Sequence, residues 1–324
     1  MQQLKTPFPW AGNKTRQMSE IWARLGHVDL FIDPLCATLS SLLGRPGGAQ
    51  GVERVNDICC NITNFWRAVI CDPNQVAHYC QWPVNEIDLN ARHYWLCDRS
   101  WGENSIKAQL MADPDWFDAK QAGWWVWGQC LAMGTRWCAD PAISSRGHAR
   151  PKGAKPVHQK PRTIDTCPGV ASPNVDAYAW LQALQHRLQQ VQVLNGDFAR
   201  CLTAGSTWKA FRTVGILLDP PYSQAMRSRM LYPTDLGIDD PNQKESAVRT
   251  RQWAINNGEN PKLRIVLCGL SGEHSMPKGW IAYEWTNNSG YSSIGGKDRT
   301  SNEVIWFSPH CLKRSVQLDL DLAG

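Results

Sequence analysis

The sequence predicts an α/β protein with a largely parallel sheet, on the basis of three observations. Apolar runs of strand length alternate along the chain with segments of helical periodicity. Acidic residues follow several of these runs, and one run ends at the corner Asp219-Pro220-Pro221-Tyr222. Because alternating strands and helices favour parallel sheets, whose ligands bind beyond the carboxyl ends of the strands, these acids are predicted to lie near one edge of the sheet.

The first half of the sheet is predicted from residues before position 80. Strands are expected at residues 28–32 and 53–57, and an acidic residue stands at the end of each. A helix is expected to include Leu42-Leu43, and residues 61–70 carry apolar side chains at helical spacing. These elements form one strand–helix–strand–helix unit.

The second half of the sheet is predicted to resume near residue 176. Leu181, Leu184 and Leu188 share one face of a predicted helix, which leads into a strand at residues 191–194. A second helix is expected at residues 245–257. The remaining strands are expected at residues 214–218, 263–270, 281–285 and 304–307.

The part of the chain between these halves differs in composition. Eight of the 17 tryptophans lie between Trp82 and Trp137, and the period-2 alternation of strands is absent. We therefore predict an inserted, mainly helical lobe at residues 81–175, within a discontinuous main domain at residues 1–80 and 176–310, and a C-terminal tail at residues 311–324. Some of these rings are candidates for contact with nucleic-acid bases, but for any one of them core packing is the expected role.

A basic segment lies inside the predicted lobe. Between Asp140 and Asp165 the chain has no acidic residue, and glycines and prolines there predict a loop over residues 141–164. The loop is interpreted as a site of contact with DNA phosphates, and the alternative is a solvated linker. The basic side chains are Arg146, Arg150, Lys152, Lys155, Lys160 and Arg162.

Composition places the chain among ordinary globular proteins. Hydrophobic residues make up 43% and charged residues 19% of 324 residues, and the net charge is +5. The sequence predicts neither a membrane span nor a signal peptide, so a cytoplasmic location is expected. The 12 cysteines are accordingly expected to be reduced thiols. Because no Cys-x-x-Cys pair occurs, no bound metal is predicted.

The corner at residues 219–222 suits the chemistry of an exocyclic amine. Each proline has a fixed φ and no N–H, and the residue before each is pushed out of the helical region. The corner therefore presents the Asp219 carboxylate and the Pro220 carbonyl, which can each accept one hydrogen of an amino group, while the Tyr222 ring can stack on a base. Such fixed acceptors stabilise charge that develops on nitrogen. The alternative is a plain turn after a strand.

Several segments together resemble the Dam-type DNA adenine-N6 methyltransferases, especially relaxed-specificity forms carried by phages and prophages. The resemblance covers most of residues 7–310 and is weakest in the middle. The segments that carry it, in the family's order, are Trp10-Ala11-Gly12-Asn13-Lys14, Asp33-Pro34-Leu35-Cys36-Ala37, Val55-Asn56-Asp57, Asn195-Gly196-Asp197-Phe198 and the Asp-Pro-Pro-Tyr corner.

The resemblance implies a Rossmann-like class I methyltransferase sheet and S-adenosylmethionine as the methyl donor, with S-adenosylhomocysteine as the product. Asp57 is expected to bind the ribose hydroxyls, as a strand-end acid does in nucleotide-binding folds. Asp197 and Phe198 are expected to bind the adenine of the donor. For a single acid of this kind, the alternative role is a helix N-cap. The residues expected around the methionine part are Trp10, Ala11, Gly12, Lys14, Asp33 and Pro34.

One position departs from the family pattern. The family commonly has glycine where this chain has Ala37, and glycine would allow a positive φ or a close approach of the backbone. An added methyl group there would crowd the amino-acid part of the donor. We therefore expect the donor to bind with reduced affinity.

The predicted activity is methyl transfer to adenine N6 in double-stranded DNA after base flipping, with loose sequence specificity. The same corner also fits cytosine N4 or an adenine in RNA, and a different class of function is a non-catalytic DNA-binding protein with a decayed cofactor site. The Glu273-His274 pair follows a predicted buried strand. A loop that shapes the groove is the favoured interpretation of this pair, ahead of a general base.

Overall fold

The computed structural model describes residues 4–82, 85–101, 105–113, 115–131, 137–138, 168–205, 207–223, 245–287 and 301–313. A single seven-stranded sheet forms its centre. The strands are β1 (Leu30–Asp33), β2 (Val52–Asp57), β3 (Gln192–Asn195), β4 (Val214–Leu218), β5 (Leu263–Leu270), β6 (Ile281–Asn287) and β7 (Ser301–Phe307).

The sheet is largely parallel, as the sequence predicts. Its strand order is β3-β2-β1-β4-β5-β7-β6, and every adjoining pair from β3 to β5 is parallel. β7 runs antiparallel to both of its neighbours, β5 and β6, which the sequence analysis did not anticipate. The order of the first five strands is that of doubly wound nucleotide-binding sheets. The predicted α/β class is therefore confirmed.

Helices connect the strands, and the helices predicted on either side of the tryptophan-rich part are observed, whereas those at Met18–Leu25 and Pro73–Cys80 were not predicted. The helix predicted at residues 61–70 is observed with one further residue at each end, and the one predicted at residues 245–257 begins one residue later. The α-helices are α1 (Met18–Leu25), α2 (Ser40–Leu43), α3 (Cys60–Cys71), α4 (Pro73–Cys80), α5 (Glu86–Trp101), α6 (Ile106–Ala112), α7 (Ala119–Leu131), α8 (Ala177–Leu188) and α9 (Ser246–Asn257).

Two hydrophobic clusters bury the two faces of the sheet. Phe31 and Leu217 belong to the larger cluster, together with residues of α1, α3, α4, α7 and α8. Ile32 and Leu218, their neighbours along the chain, belong to the smaller cluster, together with residues of α9. Successive strand residues point to opposite faces, so apolar residues at consecutive positions are needed in a sheet that is covered on both sides.

The described part of residues 81–175 is helical, and its helix α7 packs against α3 and α4. Trp125, Trp127 and Trp137 are buried in the larger cluster, so their expected role in core packing is confirmed. Trp82, in contrast, is 46% exposed. Among the described residues, α7 shares its core with the helices that cover the sheet. The predicted domain boundaries stay a prediction.

Candidate active site at the carboxyl edge of the sheet

A pocket opens where strands β1 and β4 lie side by side. The chain leaves these two parallel strands towards opposite ends of the sheet, which creates a crevice beyond their carboxyl ends. Asp33 is the last residue of β1, Asp57 is the last residue of β2, and Asp219 directly follows β4. All three acids line the pocket, which encloses about 720 Å³ of open space including its mouth.

The pocket contains most of the residues that the resemblance assigns to the donor and the corner. The predicted residues that line it are Trp10, Ala11, Gly12, Asp33, Ala37, Asp57, Asp219 and Pro221. The predicted residues outside its lining are Lys14, Pro34, Asp197, Phe198, Pro220 and Tyr222. The sequence analysis did not assign a role to several further lining residues, which are Asn13, Leu35, Cys36, Thr38, Ser40, Ile58, Cys59 and Leu217.

Lys14 is the cation that neutralises the Asp219 carboxylate. Its Nζ lies 2.8 Å from Oδ1 of Asp219 and 3.5 Å from Oε2 of Glu303, and it also donates a hydrogen bond to the Gly12 carbonyl. The Lys14 side chain is only 1% exposed, and that of Glu303 is 3% exposed. One buried cation therefore serves two carboxylates. The resemblance assigns Lys14 to the methionine part of the donor, and that role stays a prediction; in the structure its ammonium group contacts the corner.

This ion cluster shifts the pKa values of its members. Burial opposes the charge on Lys14, but Asp219, Tyr222 and Glu303 more than offset it, so the pKa of Lys14 lies well above its usual value. Burial raises the pKa of Asp219, and Lys14 counteracts this effect. The Asp219 side chain remains 23% exposed. The result is a charged Lys14 that holds one oxygen of a carboxylate at the pocket wall.

The corner after Asp219 is fixed from two sides. The Tyr222 hydroxyl lies 3.4 Å from Nζ of Lys14, and the Tyr222 ring is largely buried. On the other side, the Glu273 carboxylate accepts hydrogen bonds from the backbone N–H groups of Ser223 and Leu270. Glu273 thus acts as a backbone anchor for the corner. This contact agrees with the interpretation of its loop as a shaping element.

Loss of contact with water raises the pKa values of Asp33, which is buried, and of Asp57, which is half-buried. Burial raises the pKa of Asp33 to about 7, although the Ser41 hydroxyl donates a hydrogen bond to its carboxylate. Burial likewise raises the pKa of Asp57 to about 6, against backbone N–H donors at Cys59 and Ala37. Each of these carboxylates keeps acceptor capacity beyond the bonds it makes, since an ionised carboxylate has about four lone-pair sites. A ligand with positive charge or hydroxyl groups would use that capacity.

Ala37 has the backbone conformation that the family's glycine would favour. Its φ is +38°, in the left-handed region that non-glycine residues rarely adopt. Its N–H donates to the Asp57 carboxylate, and its carbonyl accepts a hydrogen bond from the indole N–H of Trp66. These two bonds hold the strained residue in place at the pocket wall.

Asn13 stands where the family opening has a second glycine, and it joins two walls of the pocket. Its Nδ2 donates to Thr38 Oγ1 at 3.1 Å, and its Oδ1 accepts from the backbone N–H of Thr15. The preceding residue, Gly12, has a φ of +78°, so glycine is favoured there on conformational grounds. An asparagine side chain that accepts from the backbone N–H two residues later forms a turn, and such a turn is recognisable from the sequence. Its contact with Thr38, 25 residues away, has no signal in the sequence.

Asp197 and Phe198 lie apart from the pocket lining and are engaged by Arg249. The Arg249 guanidinium binds both Asp197 oxygens, at 2.6 and 2.9 Å, and lies 4.8 Å from the centre of the Phe198 ring. These bonds outweigh partial burial and lower the pKa of Asp197. Phe198 is buried in the smaller hydrophobic cluster. The adenine-binding role of these two residues stays a prediction that requires Arg249 to give up its contacts.

The six predicted DNA-binding residues, Arg146, Arg150, Lys152, Lys155, Lys160 and Arg162, lie outside the described residues. Their role stays a prediction.

No protein-family model matches this chain, and no curated protein matches it. Among the helices that the structure describes, none has both the length and the apolar character that crossing a membrane requires.

Proposed function

We propose that this protein transfers a methyl group from S-adenosylmethionine to the N6 amino group of adenine in DNA. One observation carries the proposal. Lys14 holds Oδ1 of Asp219, whereas no donor among the described residues reaches Oδ2 of Asp219 or the Pro220 carbonyl. Two adjacent acceptors therefore remain for the two hydrogens of an exocyclic amine, at the edge where such sheets bind ligands.

The residues of the corner would activate the amine by accepting its hydrogens. An adenine N6 lone pair is delocalised into the ring, so the nitrogen is a weak nucleophile. When Asp219 and Pro220 each accept one hydrogen, the nitrogen becomes more tetrahedral and its lone pair is freed for attack. The acceptors are fixed before the reaction, and they stabilise the positive charge that forms on nitrogen. Oδ2 of Asp219 would then take the proton that this nitrogen loses.

The acidic residues in the pocket lining support binding of the methyl donor. When bound, S-adenosylmethionine supplies a methyl group on a positively charged sulfur, which leaves as neutral S-adenosylhomocysteine. The donor also carries an ammonium group and ribose hydroxyls, and the pocket offers the carboxylates of Asp33 and Asp57. The adenine end fits only after a rearrangement, because Arg249 occupies both oxygens of Asp197.

Two further features favour a polymer substrate and a methyltransferase of class I. The strand order from β3 to β5 is that of a doubly wound sheet, and the motifs follow the order of the Dam-type family along the chain. The acid-free basic segment at residues 141–164 would contact phosphates. An adenine inside a duplex is out of reach of such a pocket, so the base would be flipped out of the helix.

The test is transfer of a labelled methyl group, followed by identification of the product. Purified protein is incubated with methyl-labelled donor and with DNA that lacks N6-methyladenine, or with RNA, and the nucleosides are analysed by mass spectrometry. We expect N6-methyladenine in DNA. Methylated cytosine N4 or methylated RNA adenine would replace this proposal by the corresponding alternative. Protein that retards DNA in a gel but transfers no methyl group would support the non-catalytic alternative.

A matched pair of variants assigns the reaction to the corner. Asp219→Asn removes the charged acceptor and should lower the rate at least about a hundredfold, the loss typical for one preorganised electrostatic contact. Glu284→Gln, at an exposed position of β6, is the control and should leave the rate unchanged. Turnover of the Asp219 variant at the wild-type rate would refute the assignment.

A further inference from the structure

Three potential metal ligands meet on the side of the molecule that carries α5. His93 and Cys97 lie one helical turn apart on α5, and Cys138 belongs to the described pair of residues 137–138. One ligand atom from each of the three side chains lies within 4.8 Å of the other two. Residues four apart share one helix face, so the pair on α5 is arranged as metal-binding helix pairs are.

The separation between Cys97 and His93 matches that of two ligands in a tetrahedral zinc site. Zn–S bonds of about 2.3 Å and Zn–N bonds of about 2.0–2.1 Å imply ligand separations of about 3.6 Å from sulfur to nitrogen. The Cys97 sulfur lies 3.6 Å from Nε2 and 3.8 Å from Nδ1 of His93. The two side chains are therefore close to their ligand positions without any movement of the backbone.

The fold holds Cys138 against α5. Its neighbour Trp137 is buried against Gly128, where an added Cβ would lie 1.9 Å from the indole, and its ring N–H donates to the Trp125 carbonyl. The N–H of Cys138 itself donates a long hydrogen bond of 3.3 Å to Nδ1 of His93. Coordination through Nδ1 would replace this weak bond and keep the proton on Nε2. The cluster is thus assembled before any ion arrives.

The chemistry of the two thiols favours a soft divalent cation. Cysteine sulfur and histidine nitrogen are the ligands that zinc prefers, whereas magnesium and calcium prefer oxygen.

We propose that His93, Cys97 and Cys138 bind one Zn²⁺ ion, with water in the fourth position. The sequence analysis predicted no metal because it looked for closely spaced cysteines, whereas Cys97 and Cys138 are 41 positions apart (138 minus 97). The ion would pin residues 137–138 to α5, three positions before the predicted basic loop begins.

The first test uses the unaltered protein. Metal-free, reduced protein is alkylated with iodoacetamide with and without Zn²⁺, and the labelled cysteines are quantified by mass spectrometry. Because the same sulfur lone pair binds metal and attacks the reagent, Zn²⁺ should slow alkylation of the partly exposed Cys97 by at least about tenfold. Cys71, an exposed free thiol, is the internal control and should react at an unchanged rate. An equal rate for Cys97 with and without Zn²⁺ would overturn the proposal.

The second test measures stoichiometry and assigns the ligands. Wild-type protein should bind one equivalent of Co²⁺, with a thiolate-to-metal absorption band that Zn²⁺ abolishes. Cys97→Ser and His93→Gln should each weaken binding at least about a hundredfold, since even altered support of a ligand costs about 10–100-fold. Cys71→Ser should bind as the wild type does. Binding that survives Cys97→Ser, or recovery of Cys97 and Cys138 as a disulfide from protein prepared with zinc, would contradict the site.

Discussion

The ion cluster behind the corner consists of Lys14, Asp219 and Glu303. Removal of its cation and removal of one of its anions are predicted to lower the stability of the protein by different amounts. Lys14→Met leaves two carboxylates, Asp219 and Glu303, without the buried cation that lies 2.8 and 3.5 Å from them. Asp219→Asn removes one of the two anions and leaves Lys14 beside Glu303. The first variant should therefore be much less stable than the second, although both change one member of the same ion pair.

The magnitudes follow from burial. Removal of one partner of a buried pair costs about 3–5 kcal/mol, because the remaining charge stays in a poorly solvated site. With Lys14 at 1% and Glu303 at 3% exposure, we expect Lys14→Met to reach the upper part of that range. Asp219 is 23% exposed, and its replacement by asparagine keeps an acceptor for Lys14, so the expected loss is about 1–2 kcal/mol.

The assay is unfolding in guanidinium chloride, followed by tryptophan fluorescence. The free energy of unfolding is obtained by linear extrapolation, and a constant denaturant slope checks that the variants unfold like the wild type. Lys107→Met, at an exposed position of α6, is the control for loss of a lysine and should change stability by less than about 0.5 kcal/mol.

The double variant Lys14→Met/Asp219→Asn separates the two carboxylates. It should recover part of the stability lost in Lys14→Met, because one unpaired charge is gone, but not all of it, because Glu303 remains without its cation. Equal losses for Lys14→Met and Asp219→Asn would refute the view that one cation serves both anions. Full recovery in the double variant would show that Glu303 does not depend on Lys14.

Three further predictions concern the donor pocket. Ala37→Gly relieves the strain of a left-handed alanine, worth about 1–2 kcal/mol, but raises the entropy of the unfolded chain, worth about 0.5–1 kcal/mol. We therefore expect the free energy of unfolding to increase by about 0.5 kcal/mol and the donor to bind more tightly, as measured by denaturation and by calorimetry. Weaker donor binding would contradict crowding by the methyl group. Asp33 and Asp57, with pKa values of about 7 and about 6, are neutral at low pH and anionic above these values, so affinity for the cationic donor should rise between pH 5.5 and 8. Calorimetry should show most of this rise lost in Asp33→Asn, and an unchanged pH profile would exclude that carboxylate from the site. Arg249→Gln frees the Asp197 carboxylate from its ion pair, so donor affinity should increase. Because both side chains of this pair are 31% exposed, the pair is weak and the expected increase is up to about fivefold. A decrease in affinity would mean that Arg249 itself binds the donor.

The strands and helices were predictable because they are short, strongly apolar and separated by clear turn residues. The strand predicted at residues 263–270 is observed with the same bounds. The strand predicted at residues 28–32 begins later, at Leu30, and ends one residue later, at Asp33. The Asp29 carboxylate, just before this strand, accepts the N–H groups of Arg212 and Thr213. The antiparallel direction of β7 was not predictable, since the apolar run at residues 304–307 is the same for either direction.

The acids of the candidate site were predictable from position alone, but their partners were not. Asp33, Asp57 and Asp219 stand at the ends of predicted strands, and parallel strands bring such ends to one edge. Lys14 and Asp219, in contrast, are 205 positions apart, and Asp197 and Arg249 are 52 positions apart. Which cation reaches which carboxylate depends on helix and loop packing across the sheet, and no local pattern encodes it.

Ala37, in the wall of the pocket, keeps a left-handed backbone conformation although the resemblance predicts glycine at this position. A φ of +38° is set here by contacts outside the residue, namely the Asp57 carboxylate on its N–H and the Trp66 indole on its carbonyl. Strained residues persist only where the surrounding structure determines them in this way. The loss of glycine therefore costs stability and pocket space, while the Asp57 carboxylate keeps its backbone donor and its place. A reduced affinity for the methyl donor, with the corner at Asp219 unaltered, is the outcome that this arrangement favours over complete loss of the site.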